Sequence, residues 1–410
     1  MTTNKHIKES SALLDKMATT LANTVRWQVA TNALNAMTGS VQKAYYFTKD
    51  LDASLNDIVI ITGKSSDEMA TFAKQANKAA KELRALTTDY TKASLIYYQQ
   101  GLNDQDVAAR SETTLKVANI TKQSTDTVSE QLTAIWNGYK ASAAQAEVYI
   151  DKVSAVAATT AADLEELATG MSKVASAANI MGVDIDQLNA QLATIVSVTR
   201  ESSESIGTAL KTVYARMSDI EAGLDTETTL GEYTAQMAKM GIEVLDANGK
   251  LRAQGEVVEE IGAKWKTMSR EQQTALSQTI AGTRQYSRMM ALFDNWGMYE
   301  QALKVSQNSL GTLQEQQDRY SESVSAHLKI LSAESEELYS TLFNAEDITP
   351  MIDAITEVVG GVENLIEAIG GGGGLLRVLG SVGLNVFGDK ITQSIGRTVR
   401  NVEGFIENRA

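Results

Sequence analysis

Catalysis at neutral pH draws on a small set of side chains, and this sequence is short of them. It has no cysteine and two histidines, His6 and His327. Thiolate nucleophiles, thiolate metal sites and disulfide frameworks are therefore excluded. A histidine zinc site or a Ser-His-Asp triad would have to recruit one of those two residues. Acidic neighbours occur as Glu165-Glu166, Glu259-Glu260 and Glu336-Glu337. Adjacent helical residues diverge by about 100°, so such pairs read as solvated charged faces. Asp184-Ile185-Asp186 resembles the start of a calcium loop but lacks the downstream Gly and Glu of an EF-hand; helix N-capping accounts for it better. The run Gly370–Gly374 is not followed by Lys-Ser/Thr, so it reads as a linker rather than a phosphate cradle. These residues imply no catalytic site, no metal site and no cofactor.

Charge and hydropathy narrow the partners. The 410 residues carry a formal net charge of −14, and Lys and Arg nowhere cluster, so specific nucleic-acid binding, which needs clustered cations, is not expected. Residues 1–20 lack the apolar segment of a signal peptide. No run of 18 apolar residues offers an ordinary transmembrane helix.

The elements that must position any site are helical. One proline, Pro350, stands in the whole chain, so long helices can run unbroken. Residues 10–49 read as one helix, with Leu14, Met17, Leu21 and Val25 on one stripe and a bend at Gly39. A second segment runs from Asp50 to Gly63. Ser65-Ser66-Asp67-Glu68 then opens a helix to about Ala85. Residues 87–140 and 163–218 each read as three helices, punctuated by Gly101 and Thr121-Lys122-Gln123-Ser124 in one and by Gly182 and Thr199-Arg200-Glu201-Ser202 in the other. Val128, Leu132, Ile135, Trp136 and Tyr139 align at a constant shift with Ile206, Leu210, Val213, Tyr214 and Met217. Such self-similarity reads as an internal repeat of stacked layers.

Beyond the repeat, Gly241-Ile242-Glu243-Val244-Leu245, the turn Asp246-Ala247-Asn248-Gly249 and Lys250-Leu251-Arg252 read as a small β-hairpin. Ser269-Arg270-Glu271-Gln272 is a capping box. Residues 298–342 read as one long polar helix suited to pairing with copies of itself. Between 331 and 370 there are nine acidic residues and no Lys or Arg, with an apolar stripe at Ile352, Ile355, Val359, Val362, Ile366 and Ile369. The tail 375–410 is weakly amphipathic and reads either as the start of a further helical region or as a membrane-active segment.

The expected fold is mainly α: a multi-helix core with an internal repeat, long helices at both ends and one β-hairpin near 241–252. The expected division is 1–62, 63–162, 163–296, 297–349 and 350–410. Across 163–296 the chain resembles the core of phage tail tape measure proteins. The resemblance is carried, in order, by Leu164-Glu165-Glu166-Leu167-Ala168, Ala177-Ala178, Gly182-Val183, Asp186 to Ala193 and Glu204 to Lys211. It continues with Met240 to Val244, Asp246, Gly249-Lys250-Leu251-Arg252, Ile280 to Gln285 and Met290 to Phe293.

The resemblance implies a structural virion protein without enzymatic activity, made in the bacterial cytoplasm and housed in the tail lumen and tail tip. It would nucleate tail tube assembly, set tail length and leave during DNA ejection. Its partners would be copies of itself in threefold or sixfold arrangement, tube and tail-tip or baseplate proteins, and tail assembly chaperones. Members are commonly much longer than this chain. The alternative is a membrane-active pore or translocation protein working through 350–410, in contact with the host membrane. Gly182, Gly241, Asn248, Gly249, Gly282 and Arg284 are the interaction and turn candidates.

Overall fold

The computed structural model describes residues 49–327 together with Phe47, Lys329, Ser332 and Ala333. Of the helix expected over 10–49, residues 10–46 and 48 lie outside the described residues, as does everything read into 334–410. Residues Ser54–Ala333 form one compact unit.

The helices start where local chemistry starts them. Ser65 caps α1 (Ser66–Leu83) and Glu68 closes the box; Asp163 and Glu166 do the same for α6 (Leu164–Ile180). Each box satisfies two of the N–H groups that a helix start leaves without partners. Asp184 and Gln187 form the box of α7 (Ile185–Thr199), and Ser269 and Gln272 that of α11 (Arg270–Asp294). Thus Asp184 is a cap, and Asp186 beside it pairs with Lys152 at 2.8 Å. Of the acidic pairs, Glu166 is a capping partner. Glu259 and Glu260 are half-buried and hydrogen-bonded, not a solvated face.

The two three-helix runs are α2 (Thr87–Gln99), α3 (Asp104–Thr121) and α4 (Thr125–Gly138), and then α6, α7 and α8 (Ser203–Ala222). Their punctuation matches in detail. Gly101 and Gly182 both have positive φ, at +75° and +68°. Lys122 and Arg200 end the middle helices in the left-handed conformation, at φ 62° and 55°. Thr121 and Thr199 each bond the carbonyl four residues back and accept from the N–H two residues on. Ser124 and Ser202 cap the third helices. Helix α5 (Ala143–Thr159) joins the two runs.

Helix α7 is the centre of the unit. Eleven of its fifteen residues are buried, as expected of a helix enclosed on every side. It packs against α5, α6, α8, α11 and α12 (Trp296–Gln307). Each of its buried carboxamides reaches a neighbouring helix through one atom: Gln187 donates to Glu259 at 2.9 Å, Asn189 to the Lys152 carbonyl at 2.8 Å, and Gln191 accepts from the Tyr214 hydroxyl, while Asn189 Oδ1 and Gln191 Nε2 have no partner among the described residues.

Small residues set the closest approaches. A Cβ on Gly207 of α8 would lie 2.2 Å from the Gly170 carbonyl oxygen of α6. One on Gly138 would lie 2.7 Å from the Ser176 nitrogen, and one on Gly262 would meet the Trp296 indole at 2.2 Å.

Two expectations need correction. No strand is present at 241–252; one antiparallel bridge, Leu245 to Leu251, stands there instead. Helix α9 (Leu230–Lys239) and helix α10 (Gln254–Lys264) flank it, and between the turn at Gly241 and that at 246–249 the two arms exchange only the Asp246 to Lys250 and Arg252 to Val244 bonds, too short a ladder to stand as strands. The helix expected over 298–342 also breaks. Helix α12 stops at Gln307, Gly311 turns the chain at φ +83°, and α13 (Thr312–Ser321) starts again and folds back on α3 and α5.

Gly207→Ala is expected to destabilise the unit by about 1–3 kcal/mol, the usual cost of overpacking. In an open helix interior the same change would stabilise by roughly 0.5–1 kcal/mol. A raised urea midpoint for Gly207→Ala would disprove the backbone contact.

Candidate interaction sites

Four of the six candidate residues meet around the bridge. Gly241, at φ +73°, ends α9 in a turn that lets the Ile242 N–H bond the Met237 carbonyl at 3.1 Å. Ile242 and Val244 then point into the core. The Asp246 carboxylate accepts from the Asn248 N–H at 2.8 Å and the Lys250 N–H at 3.0 Å. Those two bonds, Lys250 first, hold its carboxyl below the usual aspartate range. Gly249, at φ +77°, completes the turn with its N–H on the Asp246 carbonyl. Gly182 abuts the far end, where a Cβ would lie 2.8 Å from that of Ala253. The Gln254 N–H bonds the Met181 carbonyl there at 2.7 Å.

Charged side chains brace this loop. Arg252 donates to Glu260 at 2.9 Å and to the Glu243 carbonyl. Lys264 donates to Glu260 at 2.8 Å and to the Gly241 carbonyl. The Glu221 carboxylate receives the Leu251 N–H at 3.1 Å. Every residue of the tip, 246–250, is exposed, and Leu245 beside it is half-buried. The arrangement is a stiff polar projection on a helical body, suited to contact rather than to chemistry.

Gly282 and Arg284 lie elsewhere, on α11. Gly282 has φ 67° and ψ 175° and kinks the helix. Carbonyls freed by a kink need other donors. Arg216 of α8 supplies them, reaching the Thr279 carbonyl at 2.7 Å and that of Ile280 at 3.4 Å. Its other nitrogens bond Thr228 at 2.9 Å and face Asp225 at 3.5 Å. One turn further, Arg288 pairs with Glu201 and donates to Ser205 at 3.1 Å. Arg284 is exposed and makes no hydrogen bond or ion pair among the described residues.

Sequence reasoning did not mark Arg216, Arg252 and Glu260 as site-builders: Arg216 reaches carbonyls 63 and 64 positions away, and Glu260, which pairs with Lys264 four positions on and Arg252 eight back, reads in sequence as part of a charged face. His327 is exposed, with its ring on the Ser323 carbonyl. A small polar hollow of about 140 Å³ opens between α2, α3 and α4, lined by Asp89, Asn119, Gln123, Asp126 and Lys329 among others. Burial pushes the Asp89 carboxyl above its usual range against the pull of Lys329 and Lys92.

What the geometry defines is a helical structural body whose exposed features are a braced loop and a kinked helix. The chain belongs to the family of phage-related minor tail proteins, whose sequence model matches residues 73–282. That span takes in both three-helix runs, the bridge loop and α11 up to its kink. The protein is accordingly a structural component of a phage tail. No solved structure matches it.

Two outcomes are expected here. Arg216→Ala leaves two carbonyls and a largely buried carboxylate without their donor and is expected to cost about 2–3 kcal/mol in urea unfolding. Arg216→Lys should recover little, since one ammonium cannot span the four partners; full recovery by lysine would overturn the assignment. The Glu260 carboxyl is raised by burial, but bonds from Lys264 and Arg252 outweigh this and leave it below the usual glutamate range. A depressed carboxylate stabilises above its unfolded pKa and loses that contribution as pH falls through the folded one. Hydrogen exchange, corrected for intrinsic rates, should therefore show loop 241–252 losing protection under acid before α6 to α8 do.

Proposed function

We propose that this protein is a tape measure protein. It lies in the tail lumen, nucleates the tube at the tail tip, sets tail length and leaves as DNA is ejected. The observation that carries the reading is where the family-matched segment sits: residues 73–282 fold entirely inside the compact unit Ser54–Ala333. A compact body of that size has a radius of gyration of roughly 19 Å, whereas the same 280 residues as one helix would reach about 420 Å. The body is therefore a poor ruler and a good docking piece. Length would be set by chain outside it, and the body would seat against tail-tip or baseplate proteins, tube subunits and further copies of itself, with assembly chaperones holding the rest. The ordered segments resembling the tape measure core between 163 and 296 support the same reading.

Electron microscopy of phage particles separates the two roles. In-frame deletions outside 54–333 should shorten tails by about 1.5 Å per residue removed, the helical rise. Deletion of one three-helix run should abolish tails rather than shorten them. Unchanged tail length in the first set would sink the ruler role, and normal tails in the second would sink nucleation by this body.

A further inference from the structure

The segment from Asn308 to Ala333 is attached to the body by an unusual set of contacts. The Asp151 carboxylate, 4% exposed, receives the Gly311 and Leu313 N–H groups, both at 2.8 Å. Gln316 donates to the Ser154 carbonyl at 3.2 Å. Gln317 donates to the Leu83 carbonyl at 2.8 Å and accepts from Asn119 at 3.3 Å. Lys329 donates to Asn119 at 3.0 Å, and Asn77 to the Ala333 carbonyl at 3.4 Å. Its buried apolar residues, among those described, are Leu313, Ala326 and Ala333, while Leu310 and Val324 stand 79% and 77% exposed. Polar groups placed in register along the strap therefore define its seat, and little apolar burial holds it there.

The hinge is short and indifferent. Residues 298–342 have the composition of one continuous helix, and only the four residues Asn308 to Gly311 depart from it before α13. Straightening them joins α12 to α13 and carries the strap away from its own body. Water can satisfy the polar groups exposed on both sides. What the vacated seat then fits is a segment with carboxamides for the Ser154 and Leu83 carbonyls at the same spacing. A second copy of this chain carries that segment.

We propose that the strap 308–333 exchanges between copies, so that the α3–α5 face of one molecule is closed by the strap of another. Reciprocal exchange of an identical element is a low-cost route to assembly, favoured by short hinges. It remakes the contacts to Ser154, Leu83, Asn119 and Asn77 and differs at the hinge, where the continuous helix takes the Gly311 and Leu313 N–H groups from Asp151 for its own i→i−4 bonds. The closed form wins in dilute solution because the tether gives the strap an effective concentration in the millimolar range; copies gathered at one site remove that advantage. The inference does not depend on the tape measure reading.

The chain has no cysteine, so a single pair, Ser154→Cys with Gln316→Cys, reports the seat cleanly. Light and nitrogen-15 full-length chains carrying this pair are mixed, refolded together at high concentration and joined with a short bifunctional thiol reagent. Exchange predicts cross-linked peptides of mixed isotope, in species larger than a monomer. Adding Gly311→Ala, which disfavours the left-handed turn and favours a straight helix, should raise the mixed fraction several-fold, and Gly311→Asn, which tolerates the turn, should leave it near the parent value. Same-isotope cross-links alone, in the parent pair at high concentration, would overturn the proposal whether or not Gly311→Ala folds. So would a folded Gly311→Ala chain that loses the cross-link without gaining a mixed one.

Discussion

Everything in the helical body depends on how near α6 and α8 come to each other. At Gly170 and Gly207 the two backbones meet with no room for a side-chain carbon. Dispersion gain falls steeply with separation, so this contact draws the aliphatic residues of both helices into full register. Leu167, Met171 and Val174 on one side and Ile206, Leu210 and Val213 on the other are essentially without exposure. The same device recurs at Gly138 against α6 and at Gly262 under Trp296. The body is thus assembled by backbone proximity at a few small residues, and the surrounding side chains fill what that leaves.

Polar interactions have a different task. Helix α7 is buried along most of its length, and each buried carboxamide on it reaches a distinct neighbour: Glu259 from α10, the Lys152 carbonyl from α5, Tyr214 from α8. An unpaired amide in such a place is costly, so these residues fix which neighbour goes where and exclude sliding of one helix on another. Asp186 adds a further tie, holding Lys152 of α5 and the Ser306 hydroxyl of α12 together. Apolar packing supplies cohesion, and the carboxamides and carboxylates supply the address.

What was legible in the sequence was what is decided within a few residues. The boxes at Ser65 and Glu68 and at Ser269 and Gln272 form from side chains three positions apart. The Thr-x-x-Ser turns at 121 and 199 are likewise local, and both reappear with the same hydrogen bonds. What was illegible depended on distant partners. Nothing near Gly311 announces that Asp151, 160 positions upstream, will bind the chain there and end a helix that local propensity would continue. The bridge at 245 and 251 has hairpin composition but loses its flanks to two helices. Arg216 carries no local signal, because the carbonyls it serves lie on a kinked helix more than sixty residues away. Of the interaction candidates, the glycines were found through their need for positive φ, and the charged braces around them were not.

The bridge loop also bears on how this protein behaves among many neighbours. A two-residue sheet has outer edges, and an exposed edge is a template for pairing with another chain. Here the Leu251 N–H is covered by Glu221 and the Glu243 carbonyl by Arg252. Those two outward groups of the bridge are thereby withheld from strands from outside. A component of a crowded viral tail can then be packed to high density through its helices without its extended segments annealing into fibres.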